Sequence, residues 1–360
     1  MSKQHKGRHS RSTRIIITIV SSLLAVIGIA CIGISAVGMH LINRIHFTKE
    51  DPPYDPNITL PADEEEDLGY VDPIDTSVYE NAASLQDIPL RGNEAGVRHI
   101  LLLGIDEKTF VGRSDAMILL SINDKSKTIK LLSFQRDTFV SVPGRDMDAD
   151  SKDDICKLNE SYAFGRFDLL SKTIAHNFRL TITDYIAVNF RALPVIIDTM
   201  GGLDIQLTKQ EMTQIPAADC RISVRNPGFR PLTGQPGVHH LNGFQTLEYA
   251  RIRKIDSDFK RTQRQRHVID LLIKKAQTMS YTQKLSTVYM ALEHIDTNLS
   301  PDNLIQLAAN SLKYRSYAIL HDYSIPKETQ CKGVYLGKKQ GLQLMNPQQL
   351  VTDLHHYIYS

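Results

Sequence analysis

Three apolar segments decide the fold: RHILLLGID (Arg98–Asp106), DAMILLSIN (Asp115–Asn123) and TIKLLSFQRD (Thr128–Asp137). Each has the length and composition of a β-strand, and the polar turn Asp124–Lys127 predicts a hairpin between the second and the third. Because their apolar residues run almost without interruption, both faces of these strands are expected to be buried.

Downstream of these strands, helix and strand patterns alternate. Asn159–Phe178 and Phe190–Met200 have the apolar spacing of helices, and two glycines end the second one. Asp184–Asn189 and Leu203–Leu207 have the pattern of strands. The alternation predicts an α/β fold with a mixed central sheet and helices on both faces.

The second half of the chain is patterned less clearly. Residues 208–241 are rich in Pro, Gly and Arg, which suggests an irregular excursion. Later elements are predicted as helices at 242–253, 259–278, 301–313 and 347–359, with a weak strand pattern at 333–336.

The amino terminus contains a candidate membrane span. Ile15–Ile42 has no Lys, Arg, Asp or Glu and is long enough to cross a bilayer as a helix. Five basic residues precede it, so the positive-inside rule predicts a single-pass protein of the cell membrane with a cytoplasmic amino terminus and an extracellular domain. A cleaved signal peptide is the alternative, which the length of the apolar run disfavours.

The charge of the chain is distributed unevenly. Residues 50–90 hold twelve Asp or Glu and no Lys or Arg, which predicts an acidic, disordered tether. Because the chain carries +2 overall, with +7 before residue 50 and −12 over residues 50–90, the remainder carries +7. A basic extracellular domain suggests an anionic ligand.

Charged residues gather where the first three strands begin or end. Asp106 ends the first strand, Arg113 precedes the second, Asp115 begins it, and Arg136 lies at the end of the third. Asp106 and Asp115 would hold one Mg²⁺ that bridges them to an anionic substrate, and the two arginines would face the same phosphate oxygens. The alternative is that these acids and arginines form plain salt bridges.

A second basic cluster lies in LEYARIRKIDSDFKRTQRQRH (Leu247–His267), which holds seven Lys or Arg. On a helix, Arg261, Arg264 and Gln265 would share one face. Clustered guanidinium groups are favourable around a phosphate or diphosphate, although a solvent-exposed basic helix is the common alternative. Two such clusters in one chain favour an anion site. The sequence has no G-x-S-x-G, Walker-type or H-E-x-x-H motif.

Eight short motifs occur in order along the chain: Leu103–Asp106, Gly112–Asp115, Ser133–Thr138, Lys157–Asn159, Met200–Gly202, Leu241–Gly243, Tyr249–Arg253 and Asp258–Gln265. With these motifs, the chain from about Val97 to Thr278 resembles the LytR–CpsA–Psr family of bacterial cell-envelope proteins. Gln135 stands where the family usually has Pro, and Lys260 stands where it usually has Gly. Neither departure removes a residue assigned to chemistry, so both bear on substrate preference.

The resemblance implies a domain that binds a polyprenyl pyrophosphate-linked glycopolymer, with the lipid tail in an apolar tunnel. The implied reaction transfers a teichoic acid, capsular or other anionic wall polysaccharide to peptidoglycan as a phosphodiester. Asp106 and Asp115 would bind magnesium, Arg136 would act in catalysis, and Asp106 or Asp258 would be the base. The implied pyrophosphate-binding residues are Arg113, Arg136, Lys157, Arg251, Arg253, Arg261, Arg264 and Gln265.

The expected organisation is a tail at 1–14, a transmembrane anchor at 15–42, a tether at 43–96, a catalytic domain at 97–326 and a carboxyl-terminal extension of that domain at 327–360. A non-enzymatic envelope regulator, or transcriptional attenuator, is one alternative. With only about 14 residues in the cytoplasm, such a protein would bind no nucleic acid itself. A lipid-pyrophosphate phosphatase or binding protein is the other alternative.

Overall fold

The computed structural model describes residues 45–48, 51, 72–80, 83–105, 112–146, 153–189, 192–224, 226–252, 255, 264, 267–268, 271–272, 275, 278–314 and 316–360. The predicted membrane span, Ile15–Ile42, lies outside these residues. Among those described, no helix is both long and apolar enough to cross a bilayer.

The chain divides into two compact units. The sheet unit contains Phe47–Asn189, Asp296–Leu299 and Tyr317–Ser360. The ribbon unit contains Phe190–Ile295 and Ser300–Ser316, together with the residues up to His46.

The described helices are α1 (Ser77–Glu80), α2 (Ala83–Gln86), α3 (Leu158–Phe178), α4 (Ala192–Thr199), α5 (Lys209–Met212), α6 (Gly243–Arg251), α7 (Tyr281–Leu292), α8 (Pro301–Tyr314) and α9 (Pro347–Tyr359). The described strands are β1 (His46–Phe47), β2 (Val97–Ile105), β3 (Ser114–Asn123), β4 (Thr128–Phe134), β5 (Phe139–Ser141), β6 (Ile155–Lys157), β7 (Tyr185–Asn189), β8 (Leu203–Leu207), β9 (Gly237–Leu241), β10 (Ile295–Thr297), β11 (Ala318–Ile325), β12 (Cys331–Leu336) and β13 (Lys339–Leu344).

A central sheet, most of which belongs to the sheet unit, has the strand order β1-β10-β7-β2-β3-β4-β11. β3 is antiparallel to both β2 and β4, whereas β7 and β11 run parallel to their neighbours β2 and β4. The predicted hairpin and the mixed central sheet are therefore confirmed.

One face of this sheet packs against α3 and α9. Alternate residues of the strands, such as Leu101, Leu103 and Leu119, share a buried cluster with Leu170 and Leu354 of those helices. Since strand side chains alternate between faces and helical ones recur every three to four residues, the two patterns meet along one apolar layer. This layer fixes the ends of β3 and β4 and the start of α3, where the candidate site lies.

Part of the segment predicted as a disordered tether is ordered. Within 72–96, the helices α1 and α2 form, and the backbone at Asp72 and Ile74 pairs with Tyr335 of β12. Gln343 also donates to the carbonyl oxygen of Asp75 at 2.6 Å and accepts from its amide at 3.1 Å. The acidic composition misled the prediction because the hairpin that supplies these partners lies far along the chain.

The ribbon unit corrects another expectation. β8 pairs with β9 in a separate antiparallel ribbon and does not join the central sheet. Residues 208–241 were expected to be irregular, but they contain the short helix α5 and the strand β9. Alternate residues Leu203 and Ile205 of β8 pack with Ile197 of α4 and Tyr249 of α6 in the core of this unit. Most of the helix predicted at 259–278 lies outside the described residues.

Candidate functional site

The site begins with an ion pair between two strand ends. The β3–β4 ladder ends with Met117 opposite Phe134; Asp115 lies two residues before Met117, and Arg136 lies in the turn that follows β4. Arg136 Nη1 lies 2.6 Å from Asp115 Oδ1. The side chains are 13% and 25% exposed, so the pair lies at the edge of the core and remains open to solvent.

Asp137 extends this pair towards α3. Its Oδ2 accepts from Arg136 Nε at 3.1 Å, and its Oδ1 lies 3.4 Å from Lys157 Nζ. The chain brings Lys157 here because β5 pairs antiparallel with β6, with Phe139 opposite Lys157. Acids and bases therefore alternate from Asp115 to Lys157.

The start of α3 is fastened to the same segment by its backbone. The amide of Leu158 donates to the Thr138 carbonyl oxygen at 2.8 Å, and that of Asn159 donates to the Arg136 carbonyl oxygen at 3.1 Å. The Lys157 amide donates to Glu160 Oε2 at 3.2 Å. Because these amides are already bonded within the protein, an anion at this place must be bound chiefly by side-chain cations.

Glu160 carries the next set of contacts. This carboxylate is fully buried, and Lys339 Nζ of β13 lies 2.8 and 3.0 Å from its two oxygens. Arg113 Nη2 lies 3.7 Å from Oε1 of the same group. The sheet-unit cluster, defined as Arg113, Asp115, Arg136, Asp137, Lys157, Glu160 and Lys339, thus holds four cations and three carboxylates.

A neighbouring thiol does not add a nucleophile. Burial, reinforced by the Glu160 carboxylate, raises the pKa of Cys156 to about 12. The thiol therefore stays protonated near neutral pH and lacks the reactivity of a thiolate. Cys156, Cys220 and Cys331 are all free of disulfides.

In the ribbon unit, α6 carries Arg251 in its last turn. The helix is capped by Asn242, whose side chain accepts from the Gln245 amide at 2.9 Å. Leu247 and Tyr249 of this helix are buried, whereas the side chain of Arg251 is exposed. An exposed guanidinium at the end of a helix fixed by its cap is suited to binding an anion.

Arg264 is buried beneath this helix end. Its side chain is 6% exposed, its Nε donates to Glu211 Oε1 at 2.9 Å, and its Nη1 donates to the carbonyl oxygen of Ile252 at 3.1 Å. Burial opposes ionisation of Glu211, but hydrogen bonds from Thr208 and Arg264 outweigh it and lower the pKa of this carboxyl. Arg264 therefore holds the peptide that follows Arg251.

The structure brings together four predicted residues, Arg113, Asp115, Arg136 and Lys157, in the sheet-unit cluster, and it places Arg251 and Arg264 in the ribbon unit. Sequence reasoning assigned no role to Asp137, Glu160 or Lys339. Asp137 stood inside a recognised motif, and Glu160 follows Lys157 at capping-box spacing, but no pattern pointed to Lys339. Five predicted residues lie outside the described part of the chain: Asp106, Arg253, Asp258, Arg261 and Gln265.

Of the two predicted magnesium ligands, Asp115 lies in the described part of the chain, and its carboxylate can supply one oxygen to the ion. Asp115 uses Oδ1 for Arg136, while its Oδ2 makes no hydrogen bond to the described residues. A carboxylate oxygen is a donor that Mg²⁺ prefers, usually with waters and phosphate oxygens in the remaining positions. Among the described residues, no group of three or more His, Cys, Asp or Glu is arranged to hold a metal. Asp115 fits as one ligand.

Residues 70–350 match the LytR_cpsA_psr family, which confirms the resemblance carried by the motifs. The chain is 29% identical to the polyisoprenyl-teichoic acid–peptidoglycan teichoic acid transferase TagU of Bacillus licheniformis, over 66% of this chain and 72% of that protein. It is 36% identical to TagU of Oceanobacillus iheyensis over 59% of this chain, and spans only 62% of that relative's length. A solved structure of TagT bound to LIIa-WTA is 25% identical, with a TM-score of 0.51, and covers 73% of this chain and 89% of TagT.

Proposed function

The chain belongs to the LytR_cpsA_psr family, and we propose that it is a phosphotransferase that moves an anionic glycopolymer from a polyprenyl pyrophosphate carrier to peptidoglycan. The observation that carries this proposal is the position of Arg136 between Asp115 and Asp137, with Lys157 beyond. The names of the TagU relatives and the TagT structure with wall teichoic acid support the substrate class.

In the proposed reaction, a hydroxyl oxygen of peptidoglycan attacks the phosphorus that carries the glycopolymer. A new P–O bond forms, the bond from that phosphorus to the polyprenyl phosphate breaks, and polyprenyl phosphate leaves. The hydroxyl proton passes to a carboxylate, for which Asp106 and Asp258 are the candidates. The product is a phosphodiester between glycopolymer and peptidoglycan.

The protein's contribution is charge placed before the reaction begins. Phosphoryl transfer depends mainly on positioning and on stabilising charge at the phosphate oxygens. Arg136 is oriented from two sides by Asp115 and Asp137, so its guanidinium pays little entropy to meet a phosphate. Arg113 and Lys157 add charge beside it. From the sequence motifs, Arg251, Arg253, Arg261 and Gln265 are proposed as further pyrophosphate-binding residues.

Magnesium is proposed as the cofactor. Asp106 and Asp115 would hold the ion through carboxylate oxygens. When bound, it would neutralise charge on the pyrophosphate and its leaving group.

The proposed location of this chemistry is the outer surface of the cell membrane. The apolar run Ile15–Ile42 would anchor the chain, and the basic residues before it would keep the amino terminus in the cytoplasm. The membrane and peptidoglycan would then both be within reach of the catalytic domain.

The function is tested with a short-chain polyprenyl pyrophosphate carrying a labelled glycan, incubated with and without peptidoglycan fragments. Transfer predicts labelled peptidoglycan and released polyprenyl phosphate only when acceptor is present. Release of phosphate without acceptor would support a phosphatase instead, and tight binding without release would support a binding protein. A regulator would give neither binding nor release.

A further inference from the structure

We propose that Lys339, on the carboxyl-terminal hairpin, is a further anion-binding residue of this site, and that Glu160 is the positioning residue that holds it beside Arg113. This inference rests on the proposed function, because the anion is taken to be the pyrophosphate group of the donor. It makes the β12–β13 hairpin a wall of the site, although the hairpin lies outside every motif in the family resemblance.

The hairpin is fixed against the site-bearing segment by its backbone. The Leu342 amide donates to the Asp137 carbonyl oxygen at 2.9 Å, and Thr138 and Leu342 form a β-bridge. A Cβ added at Gly341 would lie 2.5 Å from that same oxygen, so the two backbones approach as closely as a glycine permits. Lys339 stands two residues before this contact, so its position relative to Asp137 is set by the fold.

Glu160 provides the electrostatic reason for the placement. A fully buried carboxylate is costly unless it is paired and hydrogen-bonded. Here both oxygens contact Lys339 Nζ, and the Lys157 amide supplies a further bond. Arg113 Nη2 stands at 3.7 Å, so one negative charge is shared by two cations. Arg113, Lys339 and Glu160 together therefore keep a net positive charge, which can attract an anionic ligand.

The Lys339–Glu160 pair does more than fasten the hairpin. The backbone contacts of Leu342 and the close approach of Gly341 already do that. The side chain of Lys339 is 44% exposed, whereas its partner is fully buried, so the ammonium can meet a ligand from the solvent side. A flexible lysine carrying three donors can keep one hydrogen bond to Glu160 while it gives another to a phosphate oxygen.

The hairpin supplies its own matched control. Lys338 is the preceding residue, carries the same charge and is exposed at the hairpin turn. Replacing Lys338 or Lys339 by Ala therefore removes one positive charge from almost the same place. Of these two lysines, Lys339 is the one that contacts Glu160, so a difference between the variants reports the site and not the net charge of the hairpin.

The experiment measures binding of a short-chain polyprenyl pyrophosphate to the wild type and to Lys338→Ala, Lys339→Ala and Lys339→Arg by calorimetry. Lys339→Ala is expected to raise Kd about tenfold, the loss of roughly one charge-assisted hydrogen bond. Lys338→Ala should change Kd less than about twofold on the same reasoning, and Lys339→Arg should restore most of the affinity. Melting temperatures identify any variant that has lost its fold.

Glu160→Gln tests the positioning role, since glutamine keeps the capping geometry at this helix position. It should raise KM for the donor, and combining it with Lys339→Ala should add little further loss. If the increases in KM caused by Glu160→Gln and by Lys339→Ala are additive in the double variant, Glu160 does not act through Lys339. Equal affinity of Lys339→Ala and Lys338→Ala would overturn the inference while leaving the proposed function standing. If the wild type fails to bind the probe, the proposed function itself fails.

Discussion

Arg136 Nη1 lies 2.6 Å from Asp115 Oδ1, and this contact joins the start of β3 to the turn that follows the antiparallel strand β4. The guanidinium also donates through Nε to Asp137. A side chain bonded through two of its nitrogens has lost most of its rotamer freedom before any substrate arrives. The role in charge stabilisation that we propose for Arg136 therefore leads to a direct test.

Replacing Arg136 by Ala is expected to lower the rate of glycopolymer transfer at least about a hundredfold, because a preorganised donor to the reacting phosphate is removed. The fold should survive, since the side chain lies at the edge of the core. The measurement is attachment of labelled glycopolymer to peptidoglycan. Arg98→Ala is the control, because Arg98 also forms an ion pair in this unit, with Asp184 at 2.9 Å. Normal transfer by Arg136→Ala would contradict the role.

The sequence predicted this part of the molecule because its determinants are local. Three apolar runs and a polar turn specify β2, β3 and β4, and the short hairpin then brings the start of β3, with Asp115, near the end of β4, after which Arg136 follows. The same local patterns predicted α3 and α9. They did not predict the kink in α3, where the backbone of Gly165 and Arg166 is not helical. There Arg166 meets Asp51 and Asp296, which come from distant parts of the chain.

Partners far apart in sequence explain the rest of what was missed. Lys339 and Glu160 are 179 residues apart, and no periodicity connects them. Arg264 was expected to face phosphate with Arg261 and Gln265, but its acidic partner Glu211 lies in a segment that looked irregular. A charged run in a sequence shows how many cations there are, and only the fold shows which of them are already paired.

Arg251 should behave differently from Arg136, because its side chain is exposed at the end of α6. Arg251→Ala is expected to weaken binding of a short-chain polyprenyl pyrophosphate about tenfold, the loss of one charge-assisted contact. The melting temperature should stay close to that of the wild type. Arg230→Ala is the control, since Arg230 is an exposed arginine of the same unit, paired with Asp219. If both variants bind equally well, Arg251 is not part of the anion site.

Arg264→Ala should reduce stability. It leaves the mostly buried Glu211 carboxylate without its cation, and breaking such a pair typically costs about 3–5 kcal/mol. The Ile252 carbonyl also loses a donor. Denaturant unfolding measures the effect. The double variant Arg264→Ala/Glu211→Gln should recover part of the loss, because no unpaired charge remains buried; strictly additive losses would show that the pair is not coupled.

Magnesium dependence is testable at Asp115. Removing divalent metal with EDTA should stop transfer, and added Mg²⁺ should restore it. Asp115→Asn should require roughly tenfold more Mg²⁺ for half-maximal activity, since a neutral amide binds a hard cation less well than a carboxylate. Asp184→Asn is the control, because Asp184 also lies next to a strand and also pairs with an arginine, Arg98. Full activity in EDTA would remove magnesium from the mechanism.

His99 provides a probe of stability that is separate from activity. It lies fully buried in β2, with Nε2 3.1 Å from the hydroxyl of Tyr359. That hydroxyl donates its proton to the Gly92 carbonyl oxygen at 2.8 Å. It must therefore accept from His99, so the neutral imidazole carries its hydrogen on Nε2. Burial of this ring lowers the pKa of His99 to about 4.

Acid should consequently destabilise the sheet unit through His99. In the unfolded chain His99 takes up a proton below about pH 6.5, whereas in the folded chain it does so only near pH 4. The contribution of neutral His99 to the free energy of unfolding is therefore complete above about pH 6.5 and is lost as the pH falls towards about 4. The loss is roughly 3 kcal/mol for a difference of this size. Denaturant unfolding of His99→Gln should show a flatter dependence between pH 6.5 and 4, because glutamine can still donate to Tyr359 but does not titrate. The exposed His356 provides the control as His356→Gln, which should follow the wild type. Parallel curves for His99→Gln and the wild type would show that another group, such as the buried His355, governs the acid response.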